Sequence, residues 1–274
     1  MSKNLDRYAV MGNPIGHSKS PKIHNLFAQQ TSQPISYEAL LVEPDGFTRA
    51  VDEFQSVGGK GLNVTVPFKQ EAWAQVMNRS ERAELAGAVN TIVFHDDGSR
   101  YADTTDGVGM VRDITANNGI ELTGKCILVL GAGGAVRGVL QPLLEQRPQF
   151  VIVANRTEAT AVALAKQFNI FGDVFGCGMD ALPGQQFDLV INGTAASLKG
   201  EVPPLPDDLL YEGASCYDMM YSNQATVFQA WAREHGAVKA LDGLGMLVEQ
   251  AAESFYLWRN VRPETTAVIA ALRG

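Results

Sequence analysis

The chain has 274 residues, 46% of them hydrophobic and 19% charged, enough to bury a sizeable core in one large domain or two ordinary ones. Its net charge of −8 argues against a nucleic-acid or anionic-membrane surface, although a local pocket on an acidic protein can still be positive. Three widely spaced cysteines make neither a disulfide framework nor a zinc pattern, and there is no leader-like N-terminus or membrane-spanning run, so a cytoplasmic protein is expected.

Strands and helices alternate along the chain. Tyr8 to Met11 reads as a short strand running into a loop that carries Ser18, Lys19 and Ser20. Ser20 before Pro21 reads as a helix start, with a hydroxyl at the N-cap and proline at the first helical position. The alternative is that Ser18 and Ser20 offer hydroxyls beside a helix N-terminus, where an anion is favoured. Spacing favours the cap.

Ile35 to Val42 alternates as a strand, and Asp45 to Val57 reads as a helix with Phe47, Val51 and Phe54 inward. Gly61 to Val66 is a strand ended by Pro67, after which Phe68-Lys69 opens a helix. Lys69 therefore lies just past a strand's C-terminal end, the edge where open α/β sheets bind ligands, although a lysine there is ordinarily a solvated residue. Asn63 and Thr65 share a face by the period of two. Ser80 to Gly87 is a serine-capped helical turn, Ala88 to Phe94 a strand containing Asn90, and Asp96-Asp97-Gly98 a hairpin turn before the returning strand Tyr101 to Thr104. Thr105-Asp106-Gly107 opens a helix through Asn118. The ordinary reading of Asp106 is an acid that complements the helix dipole. The polar stretch Thr115 to Gly124 reads as the crossing into a second domain.

Cys126 to Leu130 is an apolar strand followed by Gly131-Ala132-Gly133-Gly134-Ala135 and a helical pattern through Leu144. Strand, glycine turn and helix aim backbone N–H groups at a phosphate. Gly131 permits the tight turn and Gly133 the close approach of a pyrophosphate. The sixth position of G-x-G-x-x-G is Val136, so the turn alone fits either a dinucleotide site or an ordinary strand–helix connection. The next strand, Phe150 to Ala154, ends in Asn155-Arg156-Thr157, where an NAD enzyme places Asp or Glu for the ribose. An amide, a guanidinium and a hydroxyl suit a 2′-phosphate, which favours NADP, against the plainer reading of a surface arginine in a polar loop. Glu158 to Phe168 is a helix, Phe187 to Asn192 a strand, Ser215 to Tyr221 a strand, Thr226 to His235 a helix and Ala237 to Leu241 a short strand. Asp242 to Met246 begins a long helix with a core stripe of Leu244, Leu247, Val248, Ala251, Phe255 and Trp258. Gln250 lies beside that stripe, a position where most glutamines face solvent. Pro263 to Leu272 is the last helix.

The order of motifs is specific. NPIGHSKSPKIHN is followed by GLNVTVPFK at Gly61–Lys69, AGAVNT at Ala86–Thr91 and TDG at Thr105–Gly107. GAGGA at Gly131–Ala135, NRT at Asn155–Thr157, YDMMY at Tyr217–Tyr221 and DGLGMLVEQAA at Asp242–Ala252 complete the series. Nearly end to end, the chain resembles the shikimate/quinate dehydrogenase family. The resemblance implies an α/β fold of two α/β domains flanking a cleft. Residues 1–106, completed by 243–274, would bind and transform the substrate, and residues 107–242 would form a Rossmann-like NADP-binding domain. It implies reversible reduction of 3-dehydroshikimate to shikimate by NADPH in aromatic amino-acid biosynthesis, with no nucleic-acid or membrane partner and either a monomer or a homodimer.

By the same resemblance, Ser18, Ser20 and Tyr221 hold the substrate carboxylate, and Thr65, Lys69, Asn90, Asp106 and Gln250 hold its ring hydroxyls. Gly131, Ala132, Gly133, Gly134 and Ala135 cradle the pyrophosphate. Asn155, Arg156 and Thr157 take the 2′-phosphate end, and Met219 and Gly243 flank the nicotinamide. One position departs from the family pattern: where a second basic residue commonly follows NRT by three, this chain has Thr160.

The chemistry points to the same residues. Hydride arriving at a ketone leaves negative charge on oxygen, and a cation that also donates a proton lowers that barrier by field and by acid catalysis. Lys69 fits that task, with Asp106 to orient it. No metal is needed, and the four histidines are scattered. A quinate/shikimate dehydrogenase using NAD and a catalytically silent NADP-binding sensor are the alternatives. The first calls for an acid after Ala154, which this chain lacks, and the second does not need Lys69 and Asp106, which are present.

Overall fold

The structure, a computed structural model, describes residues 5–274, Leu198 by its backbone alone. Residues 1–4, the start of the expected first domain, lie outside the described residues. The fold is mixed α/β, with two sheets and two compact units. One unit is the chain up to Gly109 together with Val248–Gly274, and the other is Met110–Leu247. The chain passes between them inside two helices rather than in the polar stretch Thr115 to Gly124.

In the first unit the elements run β1 (Asp6–Gly12), α1 (Ser20–Thr31), β2 (Ile35–Leu41), α2 (Phe47–Ser56), β3 (Gly59–Val64), α3 (Lys69–Gln75), α4 (Glu81–Ala86), β4 (Thr91–Phe94), β5 (Arg100–Asp103) and α5 (Asp106–Arg112). The sheet order is β2-β1-β3-β4-β5. β1 is parallel to β2 and β3, while β4 and β5 return antiparallel through the Asp96-Asp97-Gly98 turn. Parallel strands need crossover helices, and α1 and α2 supply them. The apolar face of α2 buries Phe47, Val51 and Phe54 in a core with Leu62, Val64, Phe68 and Ile92.

The second unit holds β6 (Cys126–Leu130), α6 (Gly134–Leu144), β7 (Phe150–Asn155), α7 (Glu158–Phe168), β8 (Val174–Gly178), β9 (Phe187–Asn192), β10 (Leu210–Asp218), α8 (Val227–Glu234) and β11 (Lys239–Leu241). α9 (Leu244–Arg259) and α10 (Thr266–Arg273) complete the chain. The second sheet is parallel throughout, in the order β11-β10-β9-β6-β7-β8. Counted from β6, that is the doubly wound order 3-2-1-4-5-6 of a Rossmann sheet, whose switch point lies between β6 and β9. All five residues of β6 are buried, as befits a strand covered on both faces. Among the described residues no helix is long and apolar enough to cross a membrane.

Three local expectations need correction, and one strand, β8, was not expected. The helix opened at Asp106 does not run regularly to Asn118: α5 ends at Arg112 and a π-helical turn covers Asp113–Asn117. There the buried Asp113 accepts from the Tyr217 hydroxyl at 2.7 Å and from the Asn117 amide at 3.0 Å, bonds that compete with regular helical winding. β8 was not legible because its sequence, VFGCG, is glycine-rich and carries an exposed Phe175 at the sheet edge. β10 begins earlier than Ser215 and stops at Asp218, where the carboxylate turns the chain by accepting the Met220 N–H at 3.1 Å. The last helix starts at Thr266, three residues beyond Pro263.

Candidate active site

The carboxyl edge of the first sheet gathers most of the expected residues. Ser18 and Ser20 sit on the connection from β1 to α1, and Thr65 follows β3. Ser20 is not the N-cap. Lys19 holds that position with helical torsions and no side-chain cap, so Ser20 is already inside the first turn. The Ser18 Oγ instead accepts the Ser20 N–H at 3.3 Å, while the buried Ser20 side chain adjoins the Tyr37 phenol. The cap reading of Ser20 is therefore set aside, and both serines stay beside the N-terminus of α1. Thr65 is half-buried, and its N–H donates to Met11 O at 3.0 Å, which ties the end of β3 to β1.

Lys69 is the first residue of α3 and Asp106 the first of α5. The Lys69 Nζ donates to Asp106 Oδ2 at 2.6 Å. The other carboxylate oxygen, Oδ1, accepts from Asn90 Nδ2 at 2.9 Å. The two side chains are partly exposed, at 31% and 22%, so the pair faces outward from a buried base. Gln250, on α9, is not turned to solvent: its Oε1 accepts from Asn90 Nδ2 at 3.3 Å and from Thr105 Oγ1 at 3.4 Å. Lys69, Asn90, Asp106 and Gln250 therefore form one connected group.

Behind that group runs a dry polar network that the sequence did not reveal. Asn90 is 3% exposed, and Thr91, Thr105 and Ser254 are fully buried. Asn63 accepts from the Tyr37 hydroxyl at 2.7 Å, and its amide donates toward Ser254 Oγ at 3.0 Å and Thr91 Oγ1 at 3.2 Å. Such groups are kept in a core only when hydrogen-bonded, and here they satisfy one another. Next to them His24 is fully buried against Tyr37, its ring stacked at 4.1 Å, with both ring nitrogens lacking hydrogen-bond geometry to any described group. Burial drives its pKa down to about 3, opposed by the Asn63 amide. The signal available in the sequence was polar residues at inward strand positions, Asn63 and Thr91, and Ser254 four residues after Gln250 on a helical face.

The second unit builds its site at the switch point. Gly131 follows β6 with φ +97, and a Cβ there would press on Thr194 Cγ2 at 3.2 Å. Its N–H donates to Ala154 O at 2.8 Å, and the Gly193 N–H donates to Leu130 O at 2.9 Å, which holds the turns after β6 and β9 side by side. Gly133 is the N-cap of α6 and Gly134 its first residue, and Cβ atoms added at either would meet only open space. Ala132 is buried, while Gly133, Gly134 and Ala135 are exposed at the helix N-terminus. A cavity of about 720 Å³ opens here, lined by Gly131, Asn155, Arg156, Thr194 and Lys199 among others. Asp180 and Glu201 also reach it. Thr157 lies outside that lining as the N-cap of α7, and its carbonyl accepts from Asn155 Nδ2 at 3.0 Å. An open helix N-terminus, a glycine cradle and the cations Arg156 and Lys199 are what a dinucleotide phosphate requires, so the residues present fit the cofactor.

Met219 and Gly243 adjoin each other after β10 and β11. The Gly243 N–H donates to Met220 O at 2.9 Å, and Met219 N donates to Asn192 O at 2.9 Å. Tyr221 is half-buried in the turn beyond, its phenol pKa raised by burial. A residue that sequence reasoning passed over, Asp218, ties these turns together. It is fully buried and accepts from Ser197 Oγ and Thr226 Oγ1, each at 2.7 Å, and from Asn192 Nδ2 at 3.1 Å. Lys199 was also passed over. It lies 43 residues after Arg156 in the chain, and only the fold brings both to one cavity.

Comparison with known proteins adds an independent line. Residues 10–92 match the family model described as shikimate dehydrogenase substrate binding domain. Residues 113–199 match the model for shikimate / quinate 5-dehydrogenase, and residues 243–273 that for the shikimate 5'-dehydrogenase C-terminal domain. A shikimate dehydrogenase (NADP(+)) from Alkalilimnicola ehrlichii is 60% identical, with 98% of each chain covered. Among solved structures, an Ael1 enzyme from Pseudomonas putida superposes with TM-score 0.92 at 48% identity, covering 97% of this chain and 98% of that one. The shikimate 5-dehydrogenase of Thermus thermophilus, in complex with NADP(H) and shikimate, gives TM-score 0.86 at 31% identity, covering 98% and 99%.

Proposed function

The chain belongs to the shikimate dehydrogenase family, and from that premise we propose that it catalyses the reversible NADP-dependent interconversion of 3-dehydroshikimate and shikimate, with Lys69 and Asp106 as the acid–base pair. The observation that carries this reading is the 2.6 Å contact between Lys69 and Asp106 at the ligand-binding edge of the first sheet, with Asn90 holding the other carboxylate oxygen. Its place is aromatic amino-acid biosynthesis, in the cytoplasm.

In this reading the first unit takes the substrate and the second takes NADP. Ser18 and Ser20 receive the substrate carboxylate. Thr65, Asn90 and Gln250 receive the ring hydroxyls and fix the ring against Lys69. NADPH, when bound, supplies the hydride. Lys69 gives its Nζ proton to the carbonyl oxygen as negative charge develops there, and its own charge stabilises that oxygen before the proton moves. Asp106 restrains the ammonium to one direction and balances its charge. In the oxidative direction neutral Lys69 accepts the hydroxyl proton. Gly131 to Ala135 and the α6 N-terminus hold the pyrophosphate. Asn155, Arg156 and Thr157 take the 2′-phosphate, and Lys199, which lines the same cavity as Arg156, adds a cation of the kind absent at Thr160. Met219 and Gly243 border the nicotinamide.

The test is the rise in absorbance of NADPH when the purified chain meets shikimate and NADP, with quinate and NAD as parallel substrates. Shikimate-dependent reduction of NADP, with lower kcat/KM for quinate and for NAD, is expected. Equal values for NADP and NAD would remove the cofactor assignment, and turnover of quinate alone would remove the substrate.

A further inference from the structure

The amide of Asn90 has two chemically opposite ends, and the protein has to choose which one faces the site. Asn90 Oδ1 accepts the Thr105 backbone N–H at 2.9 Å and the Thr91 hydroxyl at 2.9 Å. A backbone N–H can only donate, so the atom facing it must be oxygen. Nδ2 then points the other way, 2.9 Å from Asp106 Oδ1 and 3.3 Å from Gln250 Oε1, both acceptors. Thr105 Oγ1 lies at 3.0 Å from Asn90 Nδ2 and 3.2 Å from Oδ1, so it borders both ends of the same amide.

We infer that Thr91 is a positioning residue: its hydroxyl, with the Thr105 backbone N–H, locks the Asn90 amide with its NH2 toward Asp106 and thereby holds the Lys69–Asp106 pair in working geometry. The inference rests on the reading of that pair as the acid–base centre. A flipped amide would set oxygen against the Asp106 and Gln250 oxygens and set NH2 against the Thr105 N–H, so that both ends would meet groups of their own kind. Thr91, Thr105 and Asn90 are all closed to solvent, so water does not offer the amide an alternative partner. Ser254 completes the enclosure, 2.7 Å from Thr91 Oγ1 and 3.3 Å from Thr105 Oγ1. Thr91 is fully buried and meets the Lys69–Asp106 group through Asn90, whereas Thr105 also touches Gln250.

The threonine-to-valine change keeps the shape and removes the hydroxyl, and the threonine-to-serine change keeps the hydroxyl. The full-length chain is assayed for shikimate-dependent NADP reduction, with a melting temperature for every variant. Thr91→Val should lower kcat by about 10-fold, the scale of one net hydrogen bond, and leave the KM for NADP within about 2-fold. Thr91→Ser should stay within about 2- to 3-fold of the parent kcat. Should Thr91→Val fail to fold, the smaller Thr91→Ala is read by the same criterion. A valine variant with parental kcat and only a lowered melting temperature would overturn the inference, as would a serine variant that loses as much as the valine one. A parent chain without shikimate turnover would instead contradict the functional reading, and the inference with it.

Discussion

Lys69 donates to one oxygen of Asp106 at 2.6 Å while Asn90 occupies the other at 2.9 Å, so the carboxylate is held from two sides and the ammonium from one. Lys69 and Asp106 each begin a helix, α3 and α5, at the carboxyl edge of the first sheet. A partly exposed ion pair adds little to stability, because solvent screens it and two side chains must be ordered. Its value here is direction: one oxygen of Asp106 aims the lysine, and the lysine keeps the rest of its proton-donating capacity for a ligand.

Asp106→Asn separates charge from shape. The amide is nearly isosteric but carries no charge to orient the ammonium, and it presents an NH2 group that competes with Asn90. The expected result is a kcat lowered by about 10- to 10²-fold, the range of a disturbed acid–base group, with a melting temperature close to the parent. The check is steady-state kinetics beside a thermal melt.

Arg156 and Lys199 line one cavity with Gly131 and Asn155. If they serve a 2′-phosphate, neutralising them should weaken NADP and spare NAD, which has no such group. Arg156→Ala is expected to raise the KM for NADP by about 10-fold, as a lost charge-assisted contact does, and Lys199→Ala by a few-fold that shrinks with added salt. KM values for both cofactors at two ionic strengths decide it. Equal losses for NADP and NAD would place the pair away from the phosphate.

His24 makes stability depend on acid. Its ordinary pKa of 6.5 applies in the unfolded chain, and burial lowers the folded value to about 3. Between those values the unfolded chain binds a proton that the folded chain does not. The His24 contribution is therefore complete above pH 6.5 and is lost as pH falls toward 3, by at most about 1.4 kcal/mol per pH unit. With its ring stacked on Tyr37, His24→Phe should flatten that slope. Denaturant unfolding from pH 7 down to about 4 measures it, and an unchanged slope would assign the acid sensitivity to other groups.

Gly109 lets α5 pass close to α9. A Cβ there would fall 2.6 Å from Gln250 N and 2.8 Å from Gln250 Cβ, so backbone has to move. Gly109→Ala is expected to cost about 1–3 kcal/mol through overpacking and, because Gln250 is displaced, to raise the KM for shikimate. A variant with lowered stability and unchanged KM would separate Gly109 from the site.

Much of this was legible in the sequence, for reasons specific to each element. The glycine turn after Leu130 and the apolar run before it announce a strand–turn–helix, and the structure places Gly131 at a positive φ and Gly134 at the start of α6. The order of motifs placed Lys69 and Asp106 in one site, although 37 residues separate them. What was hidden depends on contacts distant in the chain. Ser20 had the chemistry of a cap, but the preceding residue already winds helically. Spacing alone read Gln250 as solvated, although the motif order put it among the site residues; Asn90 and Thr105 reach it from other elements. Lys199 and Asp218 carry no local pattern, because their partners lie on other strands or after them. Asp113 unwinds the end of α5 through a tyrosine 104 residues away, which no local propensity encodes.

The most direct test of the account is kcat for Lys69→Ala in shikimate oxidation, measured beside the affinity for NADP. The account predicts a kcat lower by about 10²-fold or more, the usual scale for a lost acid–base group, with NADP affinity close to the parent. A Lys69→Ala variant with near-parental kcat would contradict it.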